Sequence, residues 1–228
     1  MHICQPRHHY FACDTEVVTE TITAEATFAP SKKLAAIWII YGLIGLIAAF
    51  ALVLEKIHVL ESPDATLSCD LNVFISCKSV MASAQSHIFG FPNPLIGVGG
   101  FMIPITVGFA TLAGAKLQEW FYRMMVGGFA LAFIFVVWLS TQSIFVIGVL
   151  CPYCMLAWFG TIPLFWHTLI WAAHEDIIQA PISWTPMIDR LAARPWIATA
   201  ITELTIVVVI VVTFWNAWPS TFKILFGH

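Results

Sequence analysis

Cys151-Pro152-Tyr153-Cys154 places two thiols three residues apart at the start of an apolar run long enough to cross a membrane. In a first helical turn such positions share one face and lie near enough for a disulfide. The partial positive charge of a helix N-terminus favours a thiolate, so at least one of these sulfurs is expected to react near neutral pH. Three chemistries use this spacing: thiol–disulfide exchange, a static staple, or half of a zinc site. A second pair, Cys69 and Cys77, stands in a polar stretch earlier in the chain, and Cys4 and Cys13 complete the six. Cys4, His8, His9 and Cys13 have no recognised finger spacing and are assigned no site.

What positions these thiols follows from the solvent the chain is built for. Hydrophobic residues make up 60% of the sequence and charged ones 10%, against roughly 25% charged in an ordinary soluble domain. The chain therefore reads as a membrane protein. Its net charge of −3 gives no basic field for nucleic acid, and no motif for it is present.

The uncharged runs divide into five spans. Residues 34–54 form the first, behind Lys32 and Lys33 and ahead of Glu55 and Lys56. The second covers 94–114, with Asn93 as a suitable N-cap and Pro94 in the first helical position. Between Met124 and His174 there is no Asp, Glu, Lys or Arg, and Gly148 with Cys151-Pro152 breaks this run into a third span, 124–147, and a fourth, 152–173. The fifth covers 197–218, with Trp196 at one end and Trp215 and Trp218 at the other as interfacial aromatics. Residues 1–33 lack periodicity and the pattern of a cleavable signal, and are read as a disordered tail. The loop 55–92 holds Cys69 and Cys77, and its apolar residues Val73, Phe74, Val80, Met81, Ile88 and Phe89 suggest a short helix lying on the membrane. Residues 176–196 are a polar, proline-bearing connection. Gly127, Gly128 and the other span glycines are expected to allow close helix packing, and Glu203 to reach back to the interface.

Lys and Arg orient the spans. With the N-terminus inside, the inner segments hold Arg7, Lys32, Lys33, Lys116, Arg123, Arg190 and Arg194, and the outer ones hold Lys56, Lys78 and Lys223. This asymmetry favours a cytoplasmic N-terminus. Cys69, Cys77, Cys151 and Cys154 then share the outer face, where disulfides persist. One pair in a loop and one at the mouth of a bundle suit a two-stage exchanger, because a thiolate must attack a disulfide sulfur directly and a buried pair needs a mobile intermediary to serve a protein. Zinc remains the competing use of four thiolates, and structural staples the non-catalytic one.

Cys69-Asp70-Leu71-Asn72-Val73-Phe74-Ile75-Ser76-Cys77, Ser83 six residues on, Asn93, Gly97 and the final Cys151-x-x-Cys154 together resemble the vitamin K epoxide reductase family in its bacterial branch. The order, with the loop pair first and the CxxC last, is specific. The resemblance covers about residues 34–175, and the fifth span is similar to that of bacterial members. It implies an all-α polytopic protein, a four-helix bundle around a quinone, menaquinone or ubiquinone, plus the fifth transmembrane helix. It further implies that Cys154 faces the quinone, Cys151 exchanges with Cys77, and Cys69 meets a thioredoxin-like partner. Asn93 matches the position that bonds a quinone carbonyl and Ser83 the hydroxyl beside the loop pair. Where animal members have a tyrosine four residues after the last cysteine, this chain has Trp158, which stacks but offers a different donor. The implied activity is that of a thiol–disulfide/quinone oxidoreductase of the bacterial inner membrane. It would reoxidise a separate extracytoplasmic thioredoxin-like protein that supports disulfide formation in secreted proteins. The alternative is a non-catalytic membrane scaffold with structural disulfides.

Overall fold

The computed structural model describes residues 5–7, 10–12, 27–62, 66–71, 73–179 and 181–215. Cys4, His8, His9, Cys13, Trp218 and Lys223 lie outside them. Apolar runs in a low-dielectric surrounding can satisfy their backbone groups internally as helices. The chain accordingly forms α1 (Lys32–Glu61), α2 (Cys77–Ala82), α3 (Pro94–Leu112), α4 (Glu119–Thr141), α5 (Pro152–His174), α6 (Thr185–Ala193) and α7 (Trp196–Thr213). α4 continues through a wide π turn, Gln142–Ile147, which Gly148 ends with φ +68°. Among the described residues, α1, α3, α4 with its extension, α5 and α7 are long and apolar enough to cross a membrane. The protein is thus a multi-pass, helical membrane protein.

Several features differ from the sequence reading. α1 runs on to Glu61 because Glu55 and Lys56 are good helix formers and nothing interrupts the helix before Ser62. Part of the segment taken as a disordered tail forms strands. β1 (Gln5–Arg7) pairs antiparallel with β2 (Tyr10–Ala12), and β3 (Thr27–Phe28) pairs antiparallel with β4 (Leu117–Gln118). Strands of two or three residues are too short to leave a period in the sequence. The connection before the fifth span carries α6, on which Met187, Ile188 and Leu191 recur at helical spacing behind the N-cap residue Trp184.

α5 is the hub of the bundle: it packs on α1, α4 and α7, while α3 lies along α1. At the end away from the cysteines, Trp38, Tyr122 and Trp171 form a buried aromatic cluster, and Trp38 Nε1 donates to Thr168 Oγ1 at 2.8 Å. Close approach of helices depends on glycine, but not on Gly127 or Gly128, which have open space where a Cβ would stand. At Gly160 a Cβ would lie 3.0 Å from Tyr41 O and 3.1 Å from the Gly45 backbone, so α5 and α1 touch main chain to main chain. Backbone cannot swing aside as a side chain can.

Gly160→Val is therefore expected to destabilise the bundle by about 1–3 kcal/mol, read as a lower denaturation midpoint in detergent. Gly127→Ala should leave that midpoint unchanged or raise it. Equal effects of the two substitutions would show that the contact between α1 and α5 is not the constraint.

Candidate active site

The site is built from a loop that folds down onto the start of α5. Between Leu67 and Cys77 the apolar side chains of Leu71, Val73 and Phe74 stay exposed rather than forming a core of the loop's own, so the loop is held largely by hydrogen bonds to its neighbours. Leu150 N donates to Phe74 O at 2.8 Å and Ser76 N to Leu150 O at 3.0 Å, a parallel bridge that sews the loop to the residue before Cys151. Asp70 organises the turn: its carboxylate accepts from Ser76 Oγ at 2.7 Å, Lys78 N at 3.1 Å and Leu67 N at 3.4 Å. Burial pushes the Asp70 carboxyl up, but the hydrogen bonds from Ser76, Lys78, Leu67 and Cys77 together outweigh it and hold the carboxyl below the usual range. Ser76 caps α2 through Ser79 N, so Cys77 opens that helix. Ser68 Oγ adds a tie to Glu55 Oε1 on α1 and another, 3.2 Å, with Tyr153 OH inside the CxxC.

This docking brings the sulfurs together. Cys69 and Cys77 form a disulfide with Cα atoms 5.7 Å apart, and Cys151 and Cys154 are free thiols. Cys77 Sγ lies 3.2 Å from Cys151 Sγ, within the distance at which a thiolate can attack a disulfide sulfur. With Cys69 and Cys77 joined, the four sulfurs do not form a thiolate set for zinc. Cys151 is the N-cap of α5, Pro152 fills the first helical position, and Cys154 N donates to Cys151 Sγ at 3.4 Å. The hydrogen bond from the Cys154 thiol, with the N–H groups of Cys154 and Tyr153, lowers the Cys151 pKa against the opposing effects of burial and the Asp70 carboxylate. Cys77 and Cys151 are fully buried and Cys69 is only 4% exposed. A bulky reagent reaches Cys69 only if the loop lifts.

Beneath the sulfurs lies a cavity of about 970 Å³ bordered by α1, α3, α4 and α5. Its volume is at the upper end for small-molecule sites, and its walls are overwhelmingly apolar. Cys154, Ser83, Asn93 and Trp158 all border it. Asn93 does not cap α3 with its side chain, contrary to the sequence reading. It donates through Nδ2 to Gln85 O at 2.7 Å, which leaves Oδ1 enclosed without a partner among the described residues. An orphaned acceptor in an apolar cavity fits a ligand that carries a hydroxyl donor on an apolar body, as the reduced form of a quinone does. Ser83 Oγ is occupied locally, donating to Val80 O at 2.7 Å. Trp158 is 5% exposed and packs with Ile162 and Ile210 as well as facing the cavity.

All seven residues singled out from the sequence therefore meet at one end of the bundle. Asp70, Ser76, Ser68, Glu55 and Tyr153 were missed; the Ser-Cys start of α2 and the acid beside Cys69 were the available signals for a capped turn. Glu203 turns Oε1 inward, enclosed and without a partner among the described residues, rather than outward to an interface.

Asp70→Ala is expected to cost the loop about 1 kcal/mol, the worth of a capping side chain, seen as faster amide exchange at Ser76–Val80. The carboxyl is depressed in the folded chain, so its contribution is complete above its unfolded pKa of about 4 and is lost as pH falls through the lower folded value. The native loop should accordingly loosen in acid, and exchange in the Ala variant should lack that pH step.

A comparison with curated proteins gives no match. Residues 36–169 match the model of the vitamin K epoxide reductase family, a range that contains both cysteine pairs, the loop bridge and the cavity. Five membrane helices, a cysteine pair joined beside a free pair, and this match support a membrane disulfide oxidoreductase: the chain belongs to the vitamin K epoxide reductase family.

Proposed function

We propose that this protein passes two electrons from a reduced thioredoxin-like partner to a membrane quinone. The observation that carries the reading is the line of sulfur atoms: a loop disulfide whose Cys77 lies 3.2 Å from Cys151, and Cys154 on the wall of a large apolar cavity. In the working cycle a partner thiolate attacks Cys69 Sγ, forms a mixed disulfide and releases Cys77 as a thiolate. Cys77 attacks Cys151 of an oxidised Cys151–Cys154 pair and releases Cys154. The partner's second thiol displaces Cys69, and Cys69 then attacks Cys77 and frees Cys151. The partner leaves as a disulfide, the loop pair is again oxidised, and Cys151 and Cys154 hold the two electrons. That distribution matches the cysteine states described above.

A quinone in the cavity supplies the acceptor for those two electrons, and the two thiols supply the two protons as their own disulfide forms. The chain's residues hold and shield: Trp158 and the apolar walls exclude water, Asn93 Oδ1 offers an acceptor for a hydroxyl of the reduced head group, and Ser83 borders the head-group end. The lowered Cys151 pKa favours the thiolate that disulfide exchange needs. The count of Lys and Arg favours a cytoplasmic N-terminus and an active site on the outer face, and the resemblance to bacterial family members supports a bacterial inner membrane. Menaquinone and ubiquinone both fit an apolar cavity of this volume.

Quinone consumption by the purified chain in detergent, with a reduced thioredoxin-like donor, tests the reading. Cys151→Ala and Cys154→Ala should each lower turnover by about a hundredfold or more, whereas Cys4→Ser and Cys13→Ser should not change it. Full turnover in Cys151→Ala would sink the relay. No turnover in the native chain with several donors and quinones would favour structural disulfides instead.

A further inference from the structure

The cavity's polar groups gather at its cysteine end, and two of them keep unused hydrogen-bonding capacity of opposite kinds. Asn93 Nδ2 donates to Gln85 O, and since a carbonyl takes only a donor, this fixes which end of the amide is which. Oδ1 is left as a pure acceptor. Lys56 is the one Asp, Glu, Lys or Arg side chain among the described residues bordering the cavity, and it stands there because α1 runs past the apolar segment. A lysine near a helix end ordinarily extends its ammonium into water. This one is half-buried, has no carboxylate partner among the described residues, and makes one long hydrogen bond, 3.5 Å, to Met81 O. That carbonyl already accepts from Ser86 Oγ at 2.8 Å. An ammonium has three donors, so most of its capacity is open.

A neutral para-quinone offers two acceptors and no donor, and would leave Asn93 Oδ1 unmatched. A singly ionised quinol offers one hydroxyl donor and one anionic oxygen, which is the complement of Asn93 Oδ1 and the Lys56 ammonium. Resting on the quinone reading above, we propose that Lys56 makes the cysteine end of the cavity an anion-binding subsite, selective for a quinoid head group with an ionised oxygen. Asn93 accepts from a hydroxyl on the same head group. A site that binds the ionised reduced form better than the neutral oxidised form biases the equilibrium toward reduction by that difference in affinity. The low polarity of the walls strengthens the effect, because a charge-assisted hydrogen bond out of water is stronger than one in it.

The test uses two quinones of matched size on the purified full chain in detergent, with binding read by tryptophan fluorescence quenching. One is a methyl-hydroxy-naphthoquinone, ionised at neutral pH; the other is its dimethyl counterpart, neutral and blocked against addition of thiols. The native chain should prefer the ionised compound, and lose that preference when the pH is lowered enough to protonate its hydroxyl. Lys56→Met should weaken the ionised compound about tenfold, the worth of one charged hydrogen bond. It should change the neutral compound by less than about threefold, and Lys56→Arg should restore the preference. Unchanged affinity for the ionised compound in Lys56→Met, or equal weakening of both compounds, would overturn the subsite while leaving the quinone reading in place. Failure of the native chain to bind either compound would overturn both.

Discussion

The structure depends on one contact, the 3.2 Å approach of Cys77 to Cys151. Disulfide exchange tolerates no intermediary: the attacking sulfur must stand against the bond it breaks. The two cysteines are far apart in the chain and belong to a loop and a helix that have no local reason to meet. The parallel bridge between Ile75 and Leu150 supplies that reason, because it joins the chain two residues before Cys77 to the residue before Cys151. Pro152 then starts α5 directly after Cys151, so Cys154 falls one turn below, on the cavity side.

Burial of the sulfurs creates a conflict between protection and access. Cys69, Cys77 and Cys151 pack with Leu52, Leu67 and Met81 in a small core of their own, which keeps water and stray thiols from the exchange. The same packing closes Cys69 to a protein partner. Besides the bridge to Leu150, the ties that hold the loop down are exposed or half-buried hydrogen bonds, those of Ser68 with Glu55 and Tyr153 and the one from Ser76 to Asp70. Each such bond is worth only about 1 kcal/mol net, so the loop is fastened by interactions that local opening can break without unfolding the bundle.

The bundle itself needs little from the loop. α5 sits among α1, α4 and α7, and its contact with α1 is tight enough that a Cβ at position 160 would crowd the α1 main chain. In a membrane such closeness matters more than apolar content, since lipid is as apolar as any leucine and only packing distinguishes a neighbouring helix from it. On the other side of α5, Cys154, Trp158 and Thr161 turn toward a space that the helices do not fill. The same helix therefore makes a main-chain contact with α1 and one wall of the cavity.

The sequence alone determined the helical membrane class, the five apolar segments and the two cysteine pairs, because twenty-residue apolar runs and cysteine spacing are local properties that tertiary context rarely overrides. It also marked Asn93, Ser83 and Trp158, through resemblance rather than through any local signal of their own. Tertiary structure decided the rest. That Cys77 rather than Cys69 faces Cys151, as the resemblance implied, depends physically on a bridge between residues 75 positions apart. That Asn93 leaves an acceptor in the cavity instead of capping α3 depends on Gln85 O being within reach. Lys56, counted from the sequence as an ordinary flanking cation, borders the cavity because α1 continues for two further turns and α2 folds back beside it. Hydrogen bonds and cavities join residues distant in the chain, and their partners are fixed only when the helices have packed.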